Sequence, residues 1–149
     1  MRVLIVCSSG GHLTQALALR SWWGEHERHW VTLPTEDARS RLQGERVTEA
    51  HYPTVRNAPN LVRNFGLARR VLREFRPDLV LSTGAAIALP FFTQARRVGA
   101  RTVYIEPVDR IAAPSLSGRL TYPFSDLFLV QWDSLARRYP GSVDIGMIL

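Results

Sequence analysis

Arg2–Cys7 (RVLIVC) is an unbroken apolar run, rich in β-branched residues, that passes directly into Ser8-Ser9-Gly10-Gly11. A strand with one wet face alternates apolar and polar residues, whereas a run without alternation suits a strand covered on both faces, as in a parallel sheet. Past the glycines, His12–Trp23 carries apolar residues at Leu13, Ala16, Leu17, Leu19 and Trp23, a helical recurrence that stops at Gly24. Strand, glycine turn and helix in that order open a βαβ unit, so the spacing predicts an α/β fold with this strand at its centre.

The rhythm continues along the chain. His29–Leu33 reads as a second strand, Thr35 caps a short helix through Leu42, and Arg46–His51 offers a weaker third strand. Loop chemistry between Pro53 and Pro59 precedes an amphipathic helix, Asn60–Arg76, whose expected inward face is Leu61, Phe65, Ala68, Leu72 and Phe75. Asp78–Ser82 is another buried strand, and Thr83-Gly84-Ala85 turns into a helix over Ile87–Val98, with Pro90 in its first turn and Gly99 at its end. Arg101–Glu106, Asp126–Val130 and Val143–Ile145 read as strands. Pro107–Ser117 reads as a polar loop, Ser117–Tyr122 as a short helix and Ser134–Arg138 as a helical turn. Six or seven strands alternating with helices predict a doubly wound, Rossmann-like parallel sheet, and 149 residues fit a single domain, 1–149.

Charge narrows the chemistry. The chain has 19 basic and 13 acidic residues, a net charge of +6, and every basic side chain is arginine. Without lysine there is no Walker A phosphate loop and no Schiff-base chemistry, but guanidinium forks suit phosphates and acidic headgroups. Cys7, as the single cysteine, forms no internal disulfide, and four histidines with it make no structural zinc pattern, so no metal is expected and a reducing compartment fits. The N-terminus lacks the pattern of a signal peptide, and no window reaches the ~18 apolar residues of a membrane-spanning helix. Arg56, Arg63 and Arg70 recur every seven residues, and Arg63, Arg70 and Arg73 are the side chains expected to meet an anionic membrane surface, the alternative being an ordinary solvated face. Aromatics are not interleaved with the arginines and no helix-turn-helix or zinc finger is present, so nucleic acid is not the expected partner.

In folds of this class ligands lie at the carboxyl ends of the strands. Ser9, Gly10 and Gly11 put backbone amides at a helix N-terminus, a site for phosphate oxygens, although a packing turn explains the same residues. The spacing is not G-x-G-x-x-G, which weighs against a nicotinamide cofactor. His12 follows as either a general base or a helix-capping hydrogen-bond partner. Thr83, Gly84 and Ala85 repeat the arrangement across the expected switch point, and two amide turns suit a diphosphate. Glu106 is expected to project into the same crevice, to bind a hydroxyl or pair with Arg110.

Ser9-Gly10-Gly11-His12 after the first strand, Ser82-Thr83-Gly84-Ala85 with Pro90, and Ile105-Glu106-Pro107, in that order, carry a resemblance across essentially the whole chain. They resemble the membrane-side, acceptor-binding subunits of two-component UDP-N-acetylglucosamine transferases of N-glycan assembly and their bacterial relatives in exopolysaccharide and capsule synthesis. More distantly they are similar to the N-terminal half of the peptidoglycan glycosyltransferase that forms lipid II. The resemblance implies half of a GT-B glycosyltransferase, with a separate catalytic partner holding the UDP-sugar and no cofactor bound by this chain, which alone is inactive. It implies that the glycine turns hold the diphosphate of a polyprenyl-linked sugar and that His12 is the general base. Eukaryotic relatives carry a membrane-spanning N-terminal segment, whereas here the first strand begins at Arg2. The expectation is therefore peripheral attachment at the inner face of the cytoplasmic membrane, through the helix at 60–76 or through Leu89, Phe91 and Phe92, unless the phenylalanines are core. Gly146–Leu149 is left as either a last strand or a partner contact. The alternative class is a Rossmann-like nucleotide-binding or regulatory module without transferase activity; an arginine-driven adaptor of anionic surfaces is a third reading.

Overall fold

β1 (Arg2–Cys7) runs through the interior of a seven-stranded parallel sheet in the computed structural model, which describes residues 1–149. The chain continues through α1 (Gly11–Ala18), α2 (Arg20–Trp23), β2 (Glu27–Thr32), α3 (Glu36–Arg41), β3 (Val47–Glu49), α4 (Ala58–Phe75) and β4 (Leu79–Gly84). Then follow α5 (Ala88–Ala95), β5 (Arg101–Ile105), α6 (Leu116–Thr121), β6 (Leu127–Val130), α7 (Asp133–Ala136) and β7 (Val143–Asp144). The strand order is β3-β2-β1-β4-β5-β6-β7, so successive strands are added first on one side of β1 and then on the other. All pairings are parallel.

The unalternating run in β1 is explained by what covers it. Leu4 and Val6 enter a core of 22 residues built with α4 and α5, while Val3, Ile5 and Cys7 enter a smaller one with Leu13, Ala16, Trp23 and Trp30. Both faces are dry, as expected for a central parallel strand.

Several boundaries differ for local reasons. The helix read over 12–23 is two helices, because the Ala16 carbonyl accepts both the Leu19 N–H and the Trp23 indole N–H, tightening the chain at Leu19. α4 begins at Ala58, where the Asn57 side chain accepts the Asn60 N–H and Pro59 sits in the first turn, a position that needs no intrahelical donor. Its buried face is Asn60, Asn64, Leu67, Ala68, Val71, Leu72 and Phe75, so Leu61 and Phe65 stand at the flank rather than at the centre. The two asparagines face inward because they satisfy the loop before α4: Asn64 exchanges two hydrogen bonds with the His51 backbone and Asn60 donates to the Pro53 carbonyl.

Phe91 and Phe92 are fully buried in the larger core, Phe92 edge-on to Tyr104, which decides between the two readings in favour of core. Gly146–Leu149 forms no strand; Ile148 packs on the smaller core and donates its N–H to Gln131, while Met147 and Leu149 stay exposed. No helix is long and apolar enough to cross a membrane.

Candidate functional site

The sheet reverses its winding between β1 and β4, and the turns that follow these two strands form the walls of one crevice. On the β1 side Gly10 has φ 71° and ψ −132°, a conformation open to glycine, and it turns the chain into α1. Gly10 and Gly11 are exposed, and no atom lies within 4 Å of where a Cβ would stand on either. The Gly10 N–H donates to the Asp37 carboxylate at 3.1 Å, whereas the N–H groups of Ser9, Gly11, His12 and Leu13 have no acceptor within the chain. The open donors of this turn are therefore those flanking Gly10.

The β4 side is built differently. Thr83 and Gly84 are buried, and the Gly84 N–H is spent on Ser82 Oγ at 3.0 Å. Ala85 is held at φ 82°, a left-handed conformation that costs a residue with a Cβ roughly 1–2 kcal/mol. Its amide and those of Ala86 and Ile87 lead into α5, which no side chain caps.

His12 and Thr83 join the two walls. His12 Nδ1 lies 2.8 Å from the Thr83 carbonyl, and Thr83 Oγ1 donates to the His12 carbonyl at 2.6 Å. A carbonyl only accepts, so Nδ1 carries the proton and the neutral ring keeps its lone pair on Nε2. Gly84 makes this possible: a Cβ there would come within 2.8 Å of His12 Nδ1, 2.9 Å of its Cε1 and 3.1 Å of Pro107 Cγ. The reading of Thr83 and Gly84 as ligand donors is corrected here. Their polar groups are consumed in positioning His12, and the open amides of this turn begin at Ala85. Cys7 lies buried beside them, its thiol pushed up to about 12 by burial, and is not a nucleophile at neutral pH.

Glu106 departs furthest from expectation. It is fully buried, and instead of opening to the crevice it accepts the Ser115 N–H at 2.5 Å and the Ser115 hydroxyl at 3.1 Å, with Tyr139 Oη at 3.5 Å. Burial raises its pKa, against the pull of the Ser115 bonds and of the Arg110 charge. Arg110 makes its close ion contact with Asp109 at 3.8 Å, not with Glu106. The carboxylate thus ties the 107–114 loop and the start of α6 to the end of β5.

Two buried glutamines, absent from the sequence reading, complete the frame. Gln15 Oε1 accepts the Val108 N–H at 3.0 Å and the Gln131 amide at 2.7 Å, and Gln131 also donates to the Glu106 carbonyl. The available signal was a polar residue on the apolar side of α1, three positions after His12.

Beside the Ala85–Ala86 turn, α4, α5 and α6 leave an apolar groove of about 320 Å³, lined by Leu61, Ala86, Leu89, Leu116 and Leu120 with Arg56 among its polar residues. Val55, Val62 and Leu116 are largely exposed. Arg63, Arg70 and Arg73 are exposed; Arg63 bonds Asn60 Oδ1, Arg70 and Arg73 line a shallow depression with Glu74, and Arg73 also faces the cleft toward Gln94 and Arg97.

Comparison with known proteins aligns with this architecture. Residues 53–148 match the family described as oligosaccharide biosynthesis protein Alg14 like. The chain is 31% identical over 182 aligned positions to the UDP-N-acetylglucosamine transferase subunit ALG14 of Mus musculus, and 25% identical to that of Homo sapiens, in each case across 100% of this chain and 83% of the relative. Among solved structures, Acinetobacter baumannii MurG superposes with a TM-score of 0.80 at 19% identity, over 98% of this chain and 45% of MurG. A UDP-N-acetylglucosamine 2-epimerase from Rickettsia bellii gives 0.75 at 16% identity, over 99% and 45%. The chain thus spans less than half the length of these solved proteins, and the likeness to them is one of fold, a GT-B-type Rossmann-like half.

Proposed function

This chain belongs to the Alg14-like family of oligosaccharide biosynthesis proteins, and on that premise we propose that it is the acceptor-binding, membrane-associating subunit of a two-component UDP-sugar glycosyltransferase. The acceptor is a polyprenyl-diphosphate-linked sugar, the UDP-sugar is held by a catalytic partner, and the chain alone does not turn over. One observation carries this reading: at one end of the sheet a turn with unspent backbone donors and a free imidazole nitrogen adjoins an apolar groove. A ligand with an anionic diphosphate, a sugar hydroxyl and a hydrocarbon tail is matched by that sequence of surfaces, and a nicotinamide dinucleotide is not.

In the proposed reaction the acceptor hydroxyl oxygen attacks the anomeric carbon of the donor sugar, the bond to UDP breaks, and the hydroxyl proton passes to His12 Nε2. Thr83 keeps that nitrogen free by holding the other. Ser9, Gly10, Gly11 and Ala85 line the diphosphate position, with Gly11, His12 and Ala85 N–H as donors, while Thr83 and Gly84 act through His12. The apolar groove takes the first isoprenoid units, with Arg63, toward the groove-side start of α4, near anionic headgroups at the inner face of the membrane, about 1 kcal/mol where it reaches the surface.

Transfer from UDP-N-acetylglucosamine to a polyprenyl-diphosphate sugar, measured with each polypeptide alone and with both, tests the reading. Product only from the mixture is expected; full turnover by this chain alone refutes the division of labour. Saturable NAD binding by the isolated chain would favour a nucleotide-binding module instead.

A further inference from the structure

At the end of the sheet opposite the crevice, where α4 and α5 end, lies a cleft of about 500 Å³ lined by Arg69, Arg73, Arg76 and Arg97 over a floor that includes Gln94. None of these four arginines is within 4 Å of a carboxylate; the ion pairs of the chain use Arg2, Arg28, Arg39, Arg41, Arg96, Arg110 and Arg137. The ordinary explanation for arginines at helix ends is the negative C-terminal dipole. Two helix ends supply about −1 elementary charge in total, so four guanidinium groups leave roughly three positive charges unanswered in one concavity.

The backbone adds a second, independent sign. Arg76 caps α4 with φ 49° and ψ 63°, the left-handed position that glycine or asparagine ordinarily fills. A long cation stands there instead, and it lines the cleft. The floor is rigid: Gln94 is 8% exposed, and its amide donates to the Phe65 and Pro90 carbonyls, bridging the two helices. The volume is that of a small-molecule site, and guanidinium forks bind phosphate oxygens in pairs.

We propose that this cleft is a second anion site, separate from the crevice, that holds a soluble small molecule bearing two or more phosphates. α4 has 18 residues, so about 27 Å of helix separates the groove-side start at Asn57 from Arg76. A diphosphate seated in the crevice does not reach the cleft, and a membrane that meets the carboxyl ends of the strands lies away from their amino ends. The site therefore samples the soluble phosphate pool while the opposite end engages lipid.

The test is calorimetric titration of the full chain with sodium pyrophosphate at fixed ionic strength. Saturable binding is expected, weakened about tenfold or more in Arg69→Gln/Arg97→Gln and less than about twofold in Arg137→Gln, an exposed arginine elsewhere. Matching thermal unfolding of the three proteins separates lost binding from lost fold. Absence of saturable binding, equal losses in both variants, or binding unaffected by the double substitution, as for a diphosphate held only in the crevice, each overturns the proposal. Sedimentation with phosphatidylcholine vesicles, with and without phosphatidylglycerol, separates the sources. Vesicle binding that depends on Arg69 and Arg97, with no pyrophosphate binding, assigns the cleft to headgroups and overturns the soluble ligand. Loss of transferase activity with the partner leaves this titration unaffected, so the two readings fail independently.

Discussion

Two strand ends in this protein look alike and work differently. After β4, Gly84 leaves space for a titratable side chain, His12; at α6, beside the end of β5, Gly118 leaves space for another, Glu106. His12 is half-buried and has one ring nitrogen satisfied by Thr83, so the second remains unspent. Glu106 is fully buried, with its oxygens taken by Ser115 and Tyr139. Hydrogen-bonding capacity left over after folding, rather than residue type or distance from a glycine, separates a group that can do chemistry from one that holds a loop.

Substitutions test that contrast. The largest stability loss is expected for Gly118→Ala, whose Cβ would overlap Glu106 Oε2 and lie 2.7 Å from Tyr139 Oη in a buried site, costing about 3 kcal/mol or more by denaturant unfolding. Glu106→Ala follows at about 2–3 kcal/mol, since the buried Ser115 N–H loses its acceptor, while Glu106→Gln, which keeps one oxygen, costs nearer 1 kcal/mol. A Glu106→Ala protein as stable as the parent would break the contrast.

Gly84→Ala is expected to cost roughly 1–2 kcal/mol, because φ is 118° and the imidazole must move, and to depress turnover with the partner more than the loss of fold explains. His12→Ala removes a single hydrogen bond, about 1 kcal/mol or less, yet is expected to lower turnover by about 10²–10⁴-fold while leaving complex formation intact. Unchanged turnover there would remove His12 from the reaction.

The smallest effect concerns pH. Burial raises the folded-state pKa of Glu106 above its ordinary value of 4.5, so the folded chain holds this proton more tightly than the unfolded one. Its contribution is fully present below about 4.5 and is lost as pH rises through the raised value. Unfolding stabilities of the parent and Glu106→Gln, followed from acid upward, should therefore run parallel below about 4.5, diverge in slope between that value and the raised one as the parent loses stability, and run parallel again above it. Identical slopes throughout would mean that Glu106 titrates normally.

Much of the architecture was legible. The apolar run of β1, the glycine turn after it and the βαβ recurrence led to a doubly wound parallel sheet with β1 at its centre, and the second glycine turn pointed to the switch point that the strand order shows. Errors arose where a side chain serves another segment. Asn60 and Asn64 lay outside the expected inward face of α4, but they face inward because residues 51–53 bring carbonyls and an N–H that need partners. Trp23 reads as the last turn of one helix, but its indole reaches back to Ala16 and breaks that helix in two. Gln15 was silent because its partners, Val108 and Gln131, lie 93 and 116 residues away.

Periodicity and residue size are local, and they determined the class of fold, the order of elements and the two turns that face each other at the switch point. Which polar groups remain unspent is a property of the packed whole. Only the tertiary structure decided that His12 keeps a free nitrogen, that Glu106 keeps no free oxygen, that Phe91 and Phe92 are core, and that four arginines around the ends of two helices converge with no carboxylate within 4 Å. The physical reason is that hydrogen bonds and charge neutralisation are completed by whatever the fold brings within about 3–4 Å, and that neighbourhood is not written in the spacing along the chain.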